Sequence, residues 1–228
     1  MLKSMCVVPA RSGSKGLANK NIKPLGGKPV LQWTINACME SGVFDTVYVA
    51  TDSEYYAELA IAMGAEVPAL EPKDMAGDFV SSTDPVLWME DLLGERHDLL
   101  WCMQPTSPLR TPEDIKAAYG LLDANPACNF VLSVTEIDPH YFNWALDKFD
   151  DGFADLHFGK GALVDRSLLP KAFRPNGAIK VGRADKVREY GHFFGDHIMC
   201  IDMPEERSVH IRSQLDLDLC EMLAKGAR

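Results

Sequence analysis

The residues best suited to chemistry in this chain lie in one basic, glycine-containing segment near its beginning. Arg11, Lys15 and Lys20 supply three positive charges within ten residues of a chain that is acidic overall. Gly13 and Gly16 let the backbone approach a ligand closely and turn its amide groups toward it. Cations and amides together suit a triphosphate. The alternative interpretation is a solvated basic loop that binds nothing.

Two common nucleotide-binding patterns do not account for this segment. A Walker loop needs a four-residue spacer before Gly-Lys-Ser/Thr, and the sequence has neither feature. The GxGxxG fingerprint of dinucleotide-binding proteins is missing too, so binding of NAD or FAD has little support. The segment therefore predicts a phosphate site of another kind.

The elements around the segment alternate between short apolar runs and helical patterns, which is typical of a parallel sheet covered by helices. The sequence thus predicts an α/β fold whose first strand leads directly into the basic segment. Open sheets of this type bind ligands at the carboxyl ends of their strands, so this position favours a functional loop. Strands are predicted over residues 5–9, 46–51, 66–70, 99–103, 130–135, 178–181, 197–201 and 209–211.

Helices are predicted where apolar residues recur at helical spacing after capping signals. They cover residues 29–41 and 54–63, and further helices begin at an Asp84 N-cap and at a capping box of Thr111 and Asp114. A last helix opens at the capping box of Ser213 and Asp216. Its predicted apolar face consists of Leu215, Leu219, Met222 and Leu223.

Composition limits the class of protein. The chain has 228 residues, 46% hydrophobic and 25% charged, which predicts one globular domain over residues 1–228. A net charge of −10 argues against general affinity for nucleic acid or anionic membranes, because these partners need clustered cations. No apolar run approaches the ~18 residues of a membrane span, and no signal peptide is evident, so we expect a cytoplasmic protein.

The six cysteines are scattered singly through apolar surroundings. They form no CxxC pair and lack the spacing of a metal or disulfide framework. We therefore expect all six to be reduced, buried and small hydrophobic residues.

Residues 138–176 differ from the rest of the chain because they are aromatic and irregular. The turn of Asp150, Asp151 and Gly152 predicts a protruding hairpin or small subdomain. A projection so rich in aromatic residues needs something to cover it, and we expect a homodimer interface that also caps the ligand site. Its aromatic residues are Tyr141, Phe142, Trp144, Phe149, Phe153 and Phe158.

The basic segment and several later motifs resemble one known family. Residues 9–16, with Lys20 and Asn21, are similar to the nucleotide loop of the acylneuraminate cytidylyltransferases, the CMP-sialic acid synthetase family. Further motifs follow in family order over nearly the whole chain, at residues 27–29, 50–53, 81–82, 104–110, 174–179 and 203–208. The resemblance implies a Rossmann-like nucleotidyltransferase, a mostly parallel sheet flanked by helices, with a small dimerisation element.

The resemblance also implies a reaction. In this family, the anomeric hydroxyl of a 2-keto acid sugar attacks the α-phosphate of CTP and releases pyrophosphate, with catalysis by positioning and charge neutralisation. The catalytic residues implied are Arg11, Lys15 and Lys20. The nucleotide-binding residues implied are Ala10, Arg11, Ser12, Gly13, Ser14, Lys15, Asn21, Ser81 and Ser82. For the two serines, capping the helix that begins near Pro85 is an equal alternative.

Three residues are implied to bind the acidic sugar. Gln104 offers an amide donor and acceptor to sugar hydroxyls. Arg174 offers a guanidinium that can bond both oxygens of a carboxylate. Asn176 is the third. For Gln104 a proline-set turn, and for Asn176 a simple Asn-Gly turn, are the alternatives.

The chain departs from the family where an aspartate pair is expected to hold magnesium. His210 and Arg212 stand there instead, on one face of the predicted strand, and neither is a plausible magnesium ligand. In a first explanation, the metal is held by the phosphates, by water and by a displaced carboxylate, Asp216 or Asp218. In a second, Arg212 supplies the positive charge that the metal otherwise supplies. Binding without turnover is the third.

Two other positions also depart from the family. Glu71 stands where many relatives have arginine near the triphosphate, and Lys180 stands where tyrosine is common. The alternatives to a nine-carbon sugar cytidylyltransferase of the sialic, legionaminic or pseudaminic type are a 3-deoxy-octulosonate cytidylyltransferase and a non-catalytic nucleotide- or sugar-binding homologue.

Overall fold

A six-stranded sheet forms the centre of the computed structural model, which describes residues 2–13, 16–72, 75, 81–160 and 164–226. Five strands run parallel, and β9 runs antiparallel to both of its neighbours, β5 and β6. The predicted α/β fold with a mostly parallel sheet is confirmed. In spatial order the strands are β10 (Ile198–Asp202), β6 (Phe130–Ile137), β9 (Ala172–Arg183), β5 (Leu99–Cys102), β1 (Ser4–Pro9) and β4 (Val47–Ala50).

Helices cover both faces of this sheet. Alternate residues of a strand point to opposite faces, and in β1 Cys6 and Val8 pack with α1 and α4, whereas Met5 and Val7 pack with α3 and α6. The helices are α1 (Val30–Ser41), α2 (Glu54–Ala62), α3 (Asp84–Leu93), α4 (Pro112–Ala124), α5 (Pro139–Asn143), α6 (Ala184–Tyr190) and α7 (Gln214–Gly226).

Several helices begin or end at the capping residues that the sequence predicts. Gly42 ends α1 in the left-handed region, at φ 64°. Thr111 and Asp114 form the predicted capping box of α4, with both side chains bonded to backbone N–H groups. Helix α3 begins one residue earlier than predicted, because Thr83 occupies the N-cap position and Asp84 is the first helical residue.

Two predicted strands are wrong. Residues 66–70 contribute only an isolated bridge between Tyr48 and Glu66, since Pro68 has no N–H to continue the pairing. Residues 209–211 belong to no strand, because the Ile211 N–H donates to the carbonyl of Thr106 in a loop. The period-two argument for His210 and Arg212 therefore does not apply.

The buried face of α7 differs from the predicted apolar face. Leu217, Cys220 and Ala224 are buried, whereas Leu215 is 76% exposed and Leu219 and Met222 are exposed too. Both sets recur at helical spacing, so periodicity alone does not decide which face meets the core.

Two small antiparallel sheets lie outside the central one. The first pairs β2 (Pro24–Leu25) with β3 (Lys28–Pro29), and the second pairs β7 (Leu146–Lys148) with β8 (Ala154–Leu156). The six aromatic residues named for residues 138–176 are exposed. Homodimerisation through them stays a prediction.

All six cysteines are free, and five are buried. Cys200 is exposed, contrary to expectation, because it lies on β10 at the edge of the sheet. No helix within the described part of the chain is long and apolar enough to cross a membrane.

Candidate active site

A cavity of about 250 Å³ lies at the carboxyl ends of β1 and β5. Its position follows from the sheet, because parallel strands deliver their following loops to the same edge. The cavity brings together residues from five segments that are distant in sequence. Its lining residues are Pro9, Arg11, Lys20, Asn21, Glu71, Met75, Ser81, Ser82, Gln104, Pro105, Thr106 and His210.

The loop after β1 is anchored by hydrogen bonds. The N–H and hydroxyl of Ser12 donate to the carboxylate of Asp52, at 2.7 and 3.0 Å. The buried amide of Asn21 donates to the carbonyl of Arg11 at 3.1 Å, and Ala10 is buried with its N–H on Ala50. These bonds hold the loop against the cavity. Ser14 and Lys15 lie outside the described residues, and Gly13 is exposed.

Positive charge is concentrated beside this loop. Burial, and then the nearby cations Arg11 and Arg212, lower the pKa of Lys20. Because like charges held together favour a bound anion, an acidic ligand relieves this repulsion. The predicted Arg11 and Lys20 therefore meet in one cavity with the predicted Asn21.

Ser81 and Ser82 line the cavity and also build the beginning of α3. The Ser81 N–H donates to Asp84 at 2.8 Å, and its hydroxyl accepts from the Thr83 N–H at 3.2 Å. Lys180, on β9, donates to the hydroxyl of Ser82 at 3.0 Å. Ser81 therefore helps to begin α3. Both serines also face the cavity, and their binding of a nucleotide stays a prediction.

Gln104 follows β5, and it lines the cavity together with His210. Gly177, at φ 77°, lies between them, and a Cβ there would come 2.9 Å from Gln104 Oε1 and 3.3 Å from His210 Nδ1. His210 Nδ1 lies 3.0 Å from the hydroxyl of Ser107. Burial, and then Arg212 and other cations, lower the pKa of His210 to about 4. The imidazole is therefore neutral near pH 7.

The predicted sugar-binding residues are not all together. Gln104 lines the cavity just described, whereas Arg174 lines a neighbouring cavity of about 560 Å³ with Glu205, Glu206 and Arg212. His210 lies on the walls of both cavities, so the two are adjacent.

Asn176 lines neither cavity and is a correction to the sequence prediction. It is 2% exposed, and its amide is used within the fold. Oδ1 accepts from the hydroxyl of Ser133 at 2.5 Å and from the N–H of Ala178, while Nδ2 donates to the hydroxyl of Ser208 at 2.9 Å. Asn176 therefore stabilises β9 where its pairing with β6 is irregular, rather than facing a ligand.

The residues at the expected magnesium position do not fit the ion. An imidazole and a guanidinium replace oxygen ligands there. Asp216 is engaged elsewhere: against the opposing effect of burial, hydrogen bonds from Arg212 and Ser213 lower its pKa, and they hold it at the beginning of α7. Across the described ranges, no group of three or more His, Cys, Asp or Glu residues is arranged to hold a metal.

Three supporting residues received no role from the sequence. Asp52 anchors Ser12, and its position directly after β4 was the available signal. Ser107 contacts the His210 ring. Arg110 is buried and donates to Thr34 at 2.7 Å and to the carbonyl of Gln104, which fixes the backbone of that residue. Contacts between loops so far apart leave no local pattern.

Structural comparison gives the class of the fold. A CMP:2-keto-3-deoxy-manno-octonic acid synthetase solved with CTP superposes with a TM-score of 0.75 at 17% identity, covering 99% of this chain and 100% of that chain. The 4-diphosphocytidyl-2C-methyl-D-erythritol synthase of Anaerococcus prevotii gives a TM-score of 0.66 at 11% identity, over 98% and 99% of the two chains. The fold is that of the nucleotidyltransferases.

Sequence comparison gives the family. The cytidylyltransferase family model matches residues 5–151. The CMP-N,N'-diacetyllegionaminic acid synthase of Legionella pneumophila is 37% identical, covering 97% of this chain and 96% of that protein. The pseudaminic acid cytidylyltransferase of Campylobacter jejuni is 29% identical, over 98% and 97% of the two chains. The chain belongs to the cytidylyltransferase family, and the resemblance stated from the motifs is confirmed.

One group of relatives is longer. The N-acylneuraminate cytidylyltransferase of Escherichia coli is 34% identical over 95% of this chain. The alignment covers 51% of that relative, so the chain spans about half its length.

Proposed function

We propose that this protein transfers CMP from CTP to the anomeric hydroxyl of a nine-carbon 2-keto acid sugar of the sialic, legionaminic or pseudaminic type. The observation that carries the proposal is the cation-lined cavity at the ends of β1 and β5, in a chain of the cytidylyltransferase family. The named relatives act on sugars of these three types.

The residues of the chain act mainly through position and charge. Arg11 and Lys20 bind the triphosphate and stabilise the negative charge that grows on it. The sugar approaches from the side of Gln104 and His210, with Arg174 of the adjacent cavity toward its carboxylate. The anomeric oxygen forms a bond to the α-phosphorus as the bond from that phosphorus to the pyrophosphate oxygen breaks, and the proton of the anomeric hydroxyl passes to water.

Pyrophosphate release tests this function. CTP is incubated with the purified protein and a panel of N-acetylneuraminate, legionaminate, pseudaminate and 3-deoxy-octulosonate, with and without magnesium. We expect one nine-carbon sugar to drive release, with UTP as the matched control nucleotide. Release with the eight-carbon sugar alone would move the assignment to the octulosonate enzymes, for which a 17% identical structural neighbour supports only the fold.

We propose that magnesium, which the family resemblance implies, accompanies the triphosphate and is not held by an aspartate pair. His210 and Arg212 supply no oxygen ligand, and magnesium commonly keeps water and substrate phosphates in its shell. The double change His210→Asp and Arg212→Asp tests this proposal. If the double variant reaches half-maximal activity at a lower magnesium concentration than the wild type, the result supports the proposal. An unchanged concentration contradicts it.

A non-catalytic binding homologue is the second candidate, favoured by the same two residues. It predicts CTP binding without pyrophosphate release for any sugar in the panel. Isothermal titration calorimetry with CTP therefore accompanies the release assay, because binding without release supports this candidate.

We further propose a homodimer in the cytoplasm. The exposed aromatic residues around β7 and β8 provide an apolar surface suited to a second copy. The sulfur atoms of Cys6 and Cys38 lie 3.7 Å apart without a disulfide, which suits a reducing compartment. Light scattering of the wild type and of a Tyr141→Ser, Phe153→Ser variant tests the dimer.

A further inference from the structure

Glu71 is an acidic residue in the wall of a cavity that is otherwise suited to anions. Its N–H donates to the carbonyl of Thr51 at 2.8 Å, which ties it to the end of β4. The residue is only 5% exposed and lines the cavity with Arg11 and Lys20. Its buried Oε1 accepts no hydrogen bond within the described part of the chain. Buried polar atoms nearly always have partners, so this one is available to a ligand.

Burial and a neighbouring carboxylate both disfavour the ionised form of Glu71. Burial, and then Asp52, raise its pKa to about 7 against the opposing effect of Arg11. Among the described residues, Lys20 and the neutral His210 are the other titratable groups on the cavity wall. A triphosphate entering this cavity adds several negative charges, which disfavour an ionised carboxylate beside it.

We propose that Glu71 is a nucleotide-binding residue that carries a proton in the CTP complex and donates its O–H to a phosphate oxygen. The proton removes the repulsion and turns an acceptor-only group into a donor, which is what a phosphate oxygen needs. CTP binding therefore takes up a proton, and the affinity falls as the pH rises. This inference rests on the proposed binding of CTP in the cavity.

Calorimetry of CTP binding at pH 8, without metal, tests the proposal. Titrations in buffers of different ionisation enthalpy count the protons exchanged, and CTP is fully ionised at this pH. The wild type is expected to take up close to one proton. Glu71→Gln keeps the shape and a donor but cannot titrate, so its uptake is expected to fall to near zero.

The affinities give a second readout. At pH 8 about one tenth of Glu71 carries a proton, so Glu71→Gln is expected to bind CTP about tenfold more tightly than the wild type. At pH 6 the two proteins are expected to bind equally. Thermal melting at pH 6 checks that the variant is folded. If the variant is not folded, infrared difference spectra of the wild type with and without CTP take the place of the comparison. A carboxylic-acid carbonyl band that appears with CTP supports the proposal, and its absence contradicts it.

Each other outcome is decisive. Binding without proton uptake overturns the inference but leaves the proposed function intact, whereas no CTP binding either without or with magnesium defeats the proposed function itself. Equal uptake in Glu71→Gln assigns the proton to Lys20 or His210, and the variants Lys20→Arg and His210→Asn then identify which. Binding that requires magnesium and loses this requirement in Glu71→Gln would make Glu71 a metal ligand and also overturn the inference.

Discussion

Two polar clusters at the same edge of the sheet differ in how completely they are bonded. In the Asn176 cluster, which is Asn176, Ser133 and Ser208, the side chains bond to one another or to backbone groups. In the nucleotide cavity, Glu71 has an unbonded oxygen and Lys20 is held near other cations. The Asn176 cluster is thus bonded within the fold, whereas Glu71 combines an unbonded oxygen with a place on the cavity wall, where a ligand can reach it.

The largest effect that this comparison predicts is on activity, from Lys20→Ala. Loss of this cation removes stabilisation of the charge that develops on the triphosphate, and kcat/KM is expected to fall by about 10²–10³-fold. Steady-state pyrophosphate release measures the change. Lys28→Ala, at an exposed lysine outside the cavity, is the matched control. Equal rates for the two variants would show that Lys20 does not contact the phosphates.

A smaller effect on stability is expected from Asn176→Ala. The change removes the hydrogen bonds between the Asn176 amide and the buried hydroxyls of Ser133 and Ser208 and leaves a small cavity, and the free energy of unfolding is expected to fall by about 2–4 kcal/mol. Gln104→Ala, at a cavity residue, is expected to leave stability nearly unchanged and to raise KM for the sugar. Urea unfolding and sugar kinetics of both variants measure the contrast. The reverse pattern would exchange the roles assigned to these two residues.

The smallest effect concerns His210 and acid. Burial keeps its pKa near 4 in the folded chain, against an ordinary value of 6.5. The unfolded chain binds a proton on His210 below pH 6.5 and the folded chain does not, so stability falls as the pH falls from 6.5 toward 4. His210→Asn removes this loss, which we expect to be about 1–2 kcal/mol at pH 5.

Urea unfolding at pH 5 and pH 7.5 measures the loss for wild type and variant. The same change at the exposed His192 is the control. An equal acid response in the wild type and in His210→Asn would contradict the burial of a neutral imidazole.

Much of the fold followed from local sequence signals. The strands β1, β4, β5, β6 and β10, the capping box of Thr111 and the loop at the end of β1 each depend on residues close in sequence. The antiparallel direction of β9 did not follow, because strand direction depends on its pairing with distant strands.

The candidate site was predictable where one segment carries the chemistry. Arg11, Lys20 and Asn21 are close in sequence, and they meet in the cavity. The family resemblance assigned Asn176 to the ligand, and its true partners, Ser133 and Ser208, lie 43 and 32 residues away, so no local pattern indicated them. The protonation state of Glu71 also depends on how deeply the side chain is buried, which the sequence alone does not reveal.

Gly16 joins the beginning and the end of the chain. A Cβ at this position would come 2.6 Å from the carbonyl oxygen of Arg212, nearer than real contacts allow. Arg212 in turn donates its N–H to Asp216, the residue that begins α7. The basic loop and the last helix are thus mechanically linked through a glycine on the protein surface. In a mutational library, position 16 should tolerate almost no substitution, despite its exposure, unless residues around 212 change with it.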